Sequence, residues 1–402
     1  MDNEPTLITS PRDGLPKLAN TPAHIVEIAH QLASGHGNLA VDTERASGFT
    51  YSQQAQLIQM RRAGSGSFLI DPVALPDPVA DLAPLAQVIK DVPWILHAAD
   101  QDLPCLTELG LRPETLADTL IAGRLLSYKK CNLGNLLLQV MDIKLPKNHS
   151  AENWSRRPFP SSWLKYAALD VEFLIELWEA LKKEAQTVGR WSWIVEECAY
   201  ELSKPAPQPR KDPWRKTSQI HRLRSRRELE IVRRIWNSRD RLARTKDLAP
   251  GRILPDRMIV SIAQAKPKNI NELNQIKGGR KLRYKKRWVS LVDRAMQTEP
   301  AQLPAKSSKN SAIPHHSRWK RQHPEAFTVL SECKKVTNAI ATELDIDAQD
   351  LIAGEVLRKL SWAVGEENQE VSISQKLTEL KARQWQQQLV AEPLAEALQL
   401  PY

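Results

Sequence analysis

Two stretches of this chain resist placement in any packed element, and they limit what the residues between them can build. "SKPAPQPRKDP" (residues 203–213) carries four prolines. Proline fixes φ and lacks an N–H, so such a run is neither helix interior nor central strand. "EPAQLPAKSSKNSAIPHHSRWKRQHP" (residues 299–324) is poor in apolar residues and rich in Pro, Ser and Lys, a composition that buries too little surface to fold. The breaks divide the 402 residues into three parts of domain size, 21–203, 214–298 and 325–402. Residues 204–213 and 299–324 are read as linkers. Residues 1–20, with early acids and prolines, are read as a flexible tail. They show no positive-then-apolar signal pattern, and no apolar run approaches the roughly 18 residues of a spanning helix. The expectation is a cytoplasmic protein with no membrane contact.

Charge follows the same divisions. Residues 1–200 hold 18 basic and 24 acidic side chains, residues 201–325 hold 32 and 11, and residues 326–402 hold 7 and 12. A mildly acidic unit joined to one of net +21 suits a scaffold or catalytic domain tethered to a binder of polyanions. Four cysteines, Cys105, Cys131, Cys198 and Cys333, are scattered without a C-x-x-C. This excludes a disulfide framework and a clustered zinc site, and fits idle thiols in a reducing compartment.

The first part alternates patterns. "NLAVDTE", "AQLIQMR", "SFLIDP" and "WILHAA" are apolar runs of strand length, and the glycines of "MRRAGSGS" predict a hairpin between the second and third. Helical patterns follow in "DLPCLTELG", "LADTLIAGRLLS", "NLGNLLLQVM" and "PSSWLKYAALDVEFLIELWEALKKEA". The reading is an α/β domain with its sheet early and its helices late. The other two parts read as all-helical. "SRRELEIVRRIWNSRDRLARTKD" has helical apolar spacing, "LPDRMIVSIAQA" offers Asp256 as an N-cap, and Gly278-Gly279 stops a helix.

The chain contains three D-x-E sequences, Asp2/Glu4, Asp42/Glu44 and Asp170/Glu172. Spacing alone separates none of them from chance. Asp42 and Glu44 end a predicted strand, where residues two apart share a face. Asp102 lies in the first turn of a predicted helix, a position the helix dipole favours for any carboxylate. Tyr166 and Asp170 stand four apart on one face of a strongly patterned helix, with Glu172 directed elsewhere. Such a set can hold two hard cations, for which carboxylate oxygens suit Mg²⁺ or Mn²⁺. Two ions activate a water and stabilise the leaving oxygen of a phosphodiester, and a tyrosine hydroxyl beside them can orient that water. Each feature is weak alone, and their order along the chain carries the weight.

The order "VDTE", "HAADQDL", "YAALD" resembles the three exonuclease motifs of the DEDD superfamily in its tyrosine branch. Within that branch the chain is similar to the ribonuclease D family, with further matches in "ADTLIAGRLL" and "NWSRRPFPSSWLKYAALDVEFL". "IWNSRDRLARTKD" followed by "ILPDRMIVSIAQAKP" resembles the HRDC module of that family and of RecQ-type helicases. "RKLSWAVG" and "ARQWQQQL" resemble its second helical domain. The resemblance implies an α/β RNase H-like exonuclease domain, a mixed sheet with helices, followed by two all-α HRDC-type domains. It implies a 3′-to-5′ exoribonuclease with two divalent metals, Mg²⁺ or Mn²⁺, held by Asp42, Glu44, Asp102 and Asp170. Tyr166 would place the attacking water, and Glu44 would also meet the terminal nucleotide. Asp100 is the alternative to Asp102, which the motif favours because Leu103 follows it. The implied substrates are single-stranded 3′ ends of structured RNA, transfer RNA precursors among them, handled by a monomer that releases nucleoside 5′-monophosphates.

Other residues admit two readings. Lys147, His149, Trp154 and Arg157, in "LPKNHSAENWSRRP", either grip phosphates and stack on bases or form a solvated loop whose tryptophan covers the core. His149 is not the histidine of the sister branch, since Tyr166 holds that position. His97 and Asp118 read as structural. "KGGRKLRYKKRW" places Arg280, Lys281, Arg283, Lys285 and Lys286 around Tyr284 and Trp288. The run is either a solvated face or, beside a nuclease, an RNA-backbone contact whose affinity falls with salt. Two rival functions stay open at this level: a DNA 3′-5′ exonuclease, and a non-catalytic nucleic-acid adaptor on a nuclease fold.

Overall fold

The structure, a computed structural model, describes residues 4–146, 149–206, 208, 210–306, 313–366 and 372–401. In the first part the strands are Thr6–Leu7 (β1), Leu18–Ala19 (β2), His36–Arg45 (β3), Ala55–Ala63 (β4), Gly66–Ile70 (β5), Trp94–Leu96 (β6), Leu116–Asp118 (β7) and Ile143–Lys144 (β8). The helices are Pro22–Ser34 (α1), Pro78–Ile89 (α2), Leu103–Glu108 (α3), Thr119–Leu125 (α4), Leu133–Met141 (α5), Ser161–Glu172 (α6), Leu174–Thr187 (α7) and Trp191–Ser203 (α8). Six strands form one mixed sheet in the order β2-β5-β4-β3-β6-β7. β3, β4 and β5 run antiparallel to their neighbours among themselves, whereas β6 and β7 join in parallel. The expected hairpin joins β4 to β5, with Gly64 and Gly66 at φ +81° and +85°, a region that glycine enters without steric cost.

Alternation along β3 decides what each face buries. Leu39 and Val41 pack with Ile25, Leu32, Leu82 and Trp94, under α1 and α2. Ala40 packs on the other side with Leu125, Leu136, Leu177 and Leu181, from α4, α5 and α7. Both faces of the sheet are therefore covered, which is why the strand runs are nearly continuous in apolar residues.

Several expectations are corrected here. Residues 4–20 are no loose tail: β1 pairs with β8, and β2 extends the main sheet beside β5. Arg12 anchors that segment, its Nε 2.6 Å from the fully buried Glu172. α1 and α2 precede or interrupt the strands, so the helices are not confined to the end. The first three residues of "LADTLIAGRLLS" are β7, with the helix starting only at Thr119. The long pattern ending in "KKEA" divides at Phe173, which leaves helical geometry at φ −117° and lies beneath the Arg12 guanidinium.

The middle part is helical: Arg226–Lys246 (α9), Pro250–Ile253 (α10), Asp256–Ala265 (α11), Ile270–Gln275 (α12) and Lys285–Met296 (α13). α9 opens with a Ser225/Glu228 capping box, and Val232, Ile235, Ile259, Leu273 and Trp288 form a separate core. Asp256 begins α11 instead of capping it, and its carboxylate lies 2.6 Å from Arg239 Nη1. The last part comprises Trp319–Gln322 (α14), Pro324–Glu343 (α15), Ala348–Leu351 (α16), Gly354–Gly365 (α17), Ile373–Glu379 (α18) and Gln384–Leu398 (α19). Its core residues Leu330, Leu360 and Trp385 join the cluster of Ala40 and Leu177, so it packs as an extension of the first part. Arg383 and Trp385 fasten it through Glu197, at 2.6 and 2.9 Å.

Removing the Arg12 guanidinium leaves the Glu172 carboxylate with the Arg12 amide at 3.3 Å and, as its one charged partner among the described residues, Arg61 at 3.6 Å. Arg12→Ala is expected to lower unfolding free energy by about 1–3 kcal/mol, the scale of a buried charge losing its partner. Urea denaturation of the variant against wild type measures this, and an unchanged midpoint would contradict it.

Candidate active site

The site begins where β3 leaves the sheet. Ala40, Asp42 and Glu44 share one face, and Ala40 is sealed in the core while the two carboxylates reach the rim of a cleft of about 1080 Å³. Directly opposite Asp42 on β4 is Gln59, wholly buried, its amide without a hydrogen-bond partner among the described residues.

Asp102 comes from the junction of β6 and α3. Thr43, on the face of β3 opposite to Asp42, donates its hydroxyl to Asp102 Oδ1 at 2.6 Å. The turn before Asp102 is held from β7. Asp118 accepts the Ala98 and Ala99 amides at 3.1 and 2.8 Å and the Leu120 amide at 2.8 Å. One capping carboxylate thus fixes the start of α4 and the turn that launches Asp102, with Ala98 at φ 64°. Asp100, the alternative, is exposed to solvent.

Asp170 arrives from α6, with Tyr166 one turn earlier. A carboxylate oxygen from each of Asp42, Glu44 and Asp170 lies within 4.8 Å of the others. Asp102 stands beside this trio, in the same cleft, as does Tyr166. The Tyr166 hydroxyl contacts Asp170.

Burial dominates the electrostatics, and mutual repulsion adds to it. Glu44 is pushed up to about 9, first by desolvation and then by Asp170 and Asp102. Desolvation raises Asp170 to about 7 and Asp102 to about 6, and it carries Asp42 well above the usual carboxylate range. The Tyr166 hydroxyl is raised as well, by burial and then by the neighbouring acids, so it remains a hydrogen-bond donor at neutral pH. Carboxylates crowded in this way fit hard divalent cations, which satisfy oxygen donors and remove the repulsion together.

Four acids and one tyrosine, named from separate motifs, are therefore brought to one cleft. The other expected contacts fare differently. Lys147 lies outside the described residues. His149 sets its ring edge-on against Tyr166, with centroids 5.6 Å apart. Trp154 is fully buried between Phe159 and Trp163, so it covers the core and has no face for a base. Arg157 spends all its donors internally. Nε and Nη2 take the Asp71 carboxylate at 2.6 and 2.7 Å, and the remaining N–H groups reach the carbonyls of Gln56, Trp154 and Arg156. Nothing remains on it to grip a phosphate. Arg280, Lys281, Arg283 and Lys286 are exposed on the middle part, whereas Lys285 donates to the Arg280 carbonyl at 2.7 Å. His97, bonded to Thr119 at 2.9 Å and lowered to about 4 by burial, is a neutral wall residue. Sequence reasoning missed Arg45, Phe49 and Gln101, which also line the cleft. Arg45 follows directly on "VDTE", and its positive charge eases Glu44 and Asp102 downward.

Comparison with known proteins agrees with this geometry. Residues 19–186 match a family described as 3′-5′ exonuclease, residues 228–290 the HRDC domain, and residues 312–398 a 3′ to 5′ exonuclease C-terminal domain. The ribonuclease D of Serratia proteamaculans is 26% identical over 392 residues, 95% of this chain and 98% of that protein. The chain belongs to the ribonuclease D family. It is a 3′-to-5′ exoribonuclease, and its substrate is RNA. The last part, expected as a second HRDC-type domain, corresponds to the C-terminal domain match. The crystal structure of a protein from Bifidobacterium adolescentis is 34% identical, with a TM-score of 0.87 over 98% of this chain and all of that one. Escherichia coli RNase D, 23% identical with a TM-score of 0.69 over 96% of this chain and 100% of that one, shares the fold. Among the described residues of this exoribonuclease no helix is long and apolar enough to cross a membrane.

The crowded acids make stability depend on pH. A carboxylate whose folded pKa is raised costs nothing below its unfolded value, costs progressively more as pH rises from that value to the folded one, and costs a constant amount above it. With folded values of about 6, 7 and 9 for Asp102, Asp170 and Glu44, the metal-free protein should lose stability from mildly acidic to alkaline pH. A divalent cation, binding the ionised form, should restore it. The increase in Tm on replacing EDTA with Mg²⁺ or Mn²⁺ should be small at about pH 5 and larger at about pH 8.5. An increase that does not depend on pH would contradict the electrostatic account.

Proposed function

We propose that this exoribonuclease trims the 3′ ends of structured RNA, transfer RNA precursors included, by metal-assisted hydrolysis that releases nucleoside 5′-monophosphates. The reading rests on one observation: carboxylates from β3, the β6–α3 junction and α6 converge beside the Tyr166 hydroxyl in a single open cleft. Asp42, Glu44 and Asp170 would hold one ion among them, and Asp42 with Asp102 a second. Bound there, two Mg²⁺ or Mn²⁺ ions would supply the charge that acidifies water and steadies the departing 3′ oxygen. The protein's own part is positional. Tyr166, steadied by Asp170 and protonated at neutral pH, directs the attacking water toward the terminal phosphodiester. Thr43 fixes the Asp102 carboxylate through its hydroxyl, and Asp118 fixes the turn that carries it. Glu44, nearest the end of β3, would also meet the terminal nucleotide. The exposed cations of Arg280, Lys281, Arg283 and Lys286 suit backbone contact with the RNA body. We further propose that the enzyme acts as a cytoplasmic monomer.

Labelled single-stranded RNA and DNA, each with Mg²⁺ or Mn²⁺, test the proposal. Mononucleotides should leave the RNA 3′ end, and EDTA should abolish their release. Asp42→Ala and Asp170→Asn should bind RNA as wild type does yet lose turnover by at least about a thousandfold, the scale of losing preorganised charge stabilisation. Tyr166→Phe should retain metal and RNA binding while kcat falls roughly a hundredfold, as when a nucleophile is misplaced. Undiminished activity in Asp42→Ala, or in EDTA, would remove the two-ion assignment.

A further inference from the structure

We propose that Phe49 and Arg252, brought together across the seam between the first and middle parts, form a nucleotide subsite for the residue 5′ to the scissile bond. The base would stack on the Phe49–Arg252 pair, and the terminal nitrogens of Arg252 would hold the phosphate. The inference rests on the exoribonuclease reading above, with the carboxylate cluster at the scissile bond.

Phe49 lies five residues beyond Glu44, in the loop that forms one wall of the catalytic cleft. It is half-buried and packs against the same apolar group as Tyr166, so it is attached to the rigid floor of the site. Its position is fixed from the middle part. The Phe49 carbonyl accepts the Ala249 amide at 2.9 Å, and the Gly48 carbonyl accepts Arg252 Nε at 2.7 Å. Two residues further on, the Asp247 carboxylate accepts the Tyr51 and Ser52 amides at 3.0 and 2.8 Å. A loop held at this many backbone points presents its side chain in one orientation, which reduces the ordering cost of binding.

The Arg252 guanidinium lies 4.0 Å from the centroid of the Phe49 ring. Arg252 is exposed, and of its side-chain nitrogens only Nε has a hydrogen-bond partner among the described residues. Its terminal nitrogens are therefore available in a fork that matches a phosphate. An aromatic ring on the cleft wall with an arginine stacked on it is the combination that holds single-stranded nucleic acid without regard to base identity. The direction of the strand assigns the occupant. A 3′-to-5′ enzyme releases one nucleotide at a time and retains everything on the 5′ side. A subsite between the carboxylates and the strongly basic middle part accordingly meets the retained strand.

The test uses the full chain and two short single-stranded RNAs, one intact and one with the base deleted at the second residue from the 3′ end. For wild type, deleting that base should raise KM about tenfold, the scale of one stacked base. Phe49→Leu, which keeps an apolar side chain but removes the ring, should raise KM on intact RNA to the same level. It should add nothing further on the abasic RNA. Arg252→Ala should raise KM on both RNAs and reduce the salt dependence of binding by about 0.7 in log–log slope, one phosphate contact on a single strand. Wild-type indifference to the missing base, or a Phe49→Leu penalty equal on both RNAs, would overturn the subsite while leaving the exoribonuclease reading intact. If wild type released no mononucleotides from intact RNA, the reading beneath it would fall as well.

Discussion

Repulsion among four crowded carboxylates, two buried and two half-buried, is the constraint on which the rest of this fold depends. Left free, Asp42, Glu44, Asp102 and Asp170 would separate or turn to water, because each is costly to ionise where it stands. They stay together because they are attached to three rigid elements, β3, the β6–α3 junction and α6, that the hydrophobic cores hold in register. β3 is pinned between β4 and β6, with both faces packed. α6 lies across that sheet, its Trp163, Ala167 and Ala168 in a small cluster with Leu57 and Leu69. The cores on the two faces of the sheet therefore stabilise an arrangement that is unfavourable without a cation, and this makes the cleft receptive to one.

The helical parts take opposite relationships to this centre. The last part shares a continuous core with α4, α5 and α7, so it supports the face of the sheet from which Asp42 and Glu44 emerge. The middle part has its own core and touches the first through hydrogen bonds to the loop after β3. A polar seam of that kind suits a module that handles substrate, since it positions a cleft wall without merging two cores. The excess positive charge lies in the module behind that seam, and the negative cluster lies in front of it.

Some residues that looked functional serve as structure, for reasons of accounting. Arg157 has five donors, and the folded chain supplies an acceptor for each. Trp154 sits in the most buried corner of its loop, its ring against Phe159 and Trp163. Both lie within twelve residues of Tyr166 in sequence, and that proximity is what made them attractive. Proximity along the chain does not say which atoms already have partners.

The sequence by itself determined which acids and which tyrosine could share one centre, and how charge divides along the chain. The order of "VDTE", Asp102, Tyr166 and Asp170 is legible because strand and helix periodicities state which residues share a face, and charge counts do not depend on folding. The four central strands, the hairpin and the helical character of the last two parts follow from the same local rules. Tertiary structure alone decided the pairing of β2 with β5, the division at Phe173, the merging of the last part into the first core, and the approach of Arg252 to Phe49. Each of those joins residues remote in sequence, and no local pattern encodes which partner a short strand, an arginine or a half-buried ring will find. The two-residue β2 is the clearest case: too brief to show any periodicity, it exists because β5 offers it an open edge.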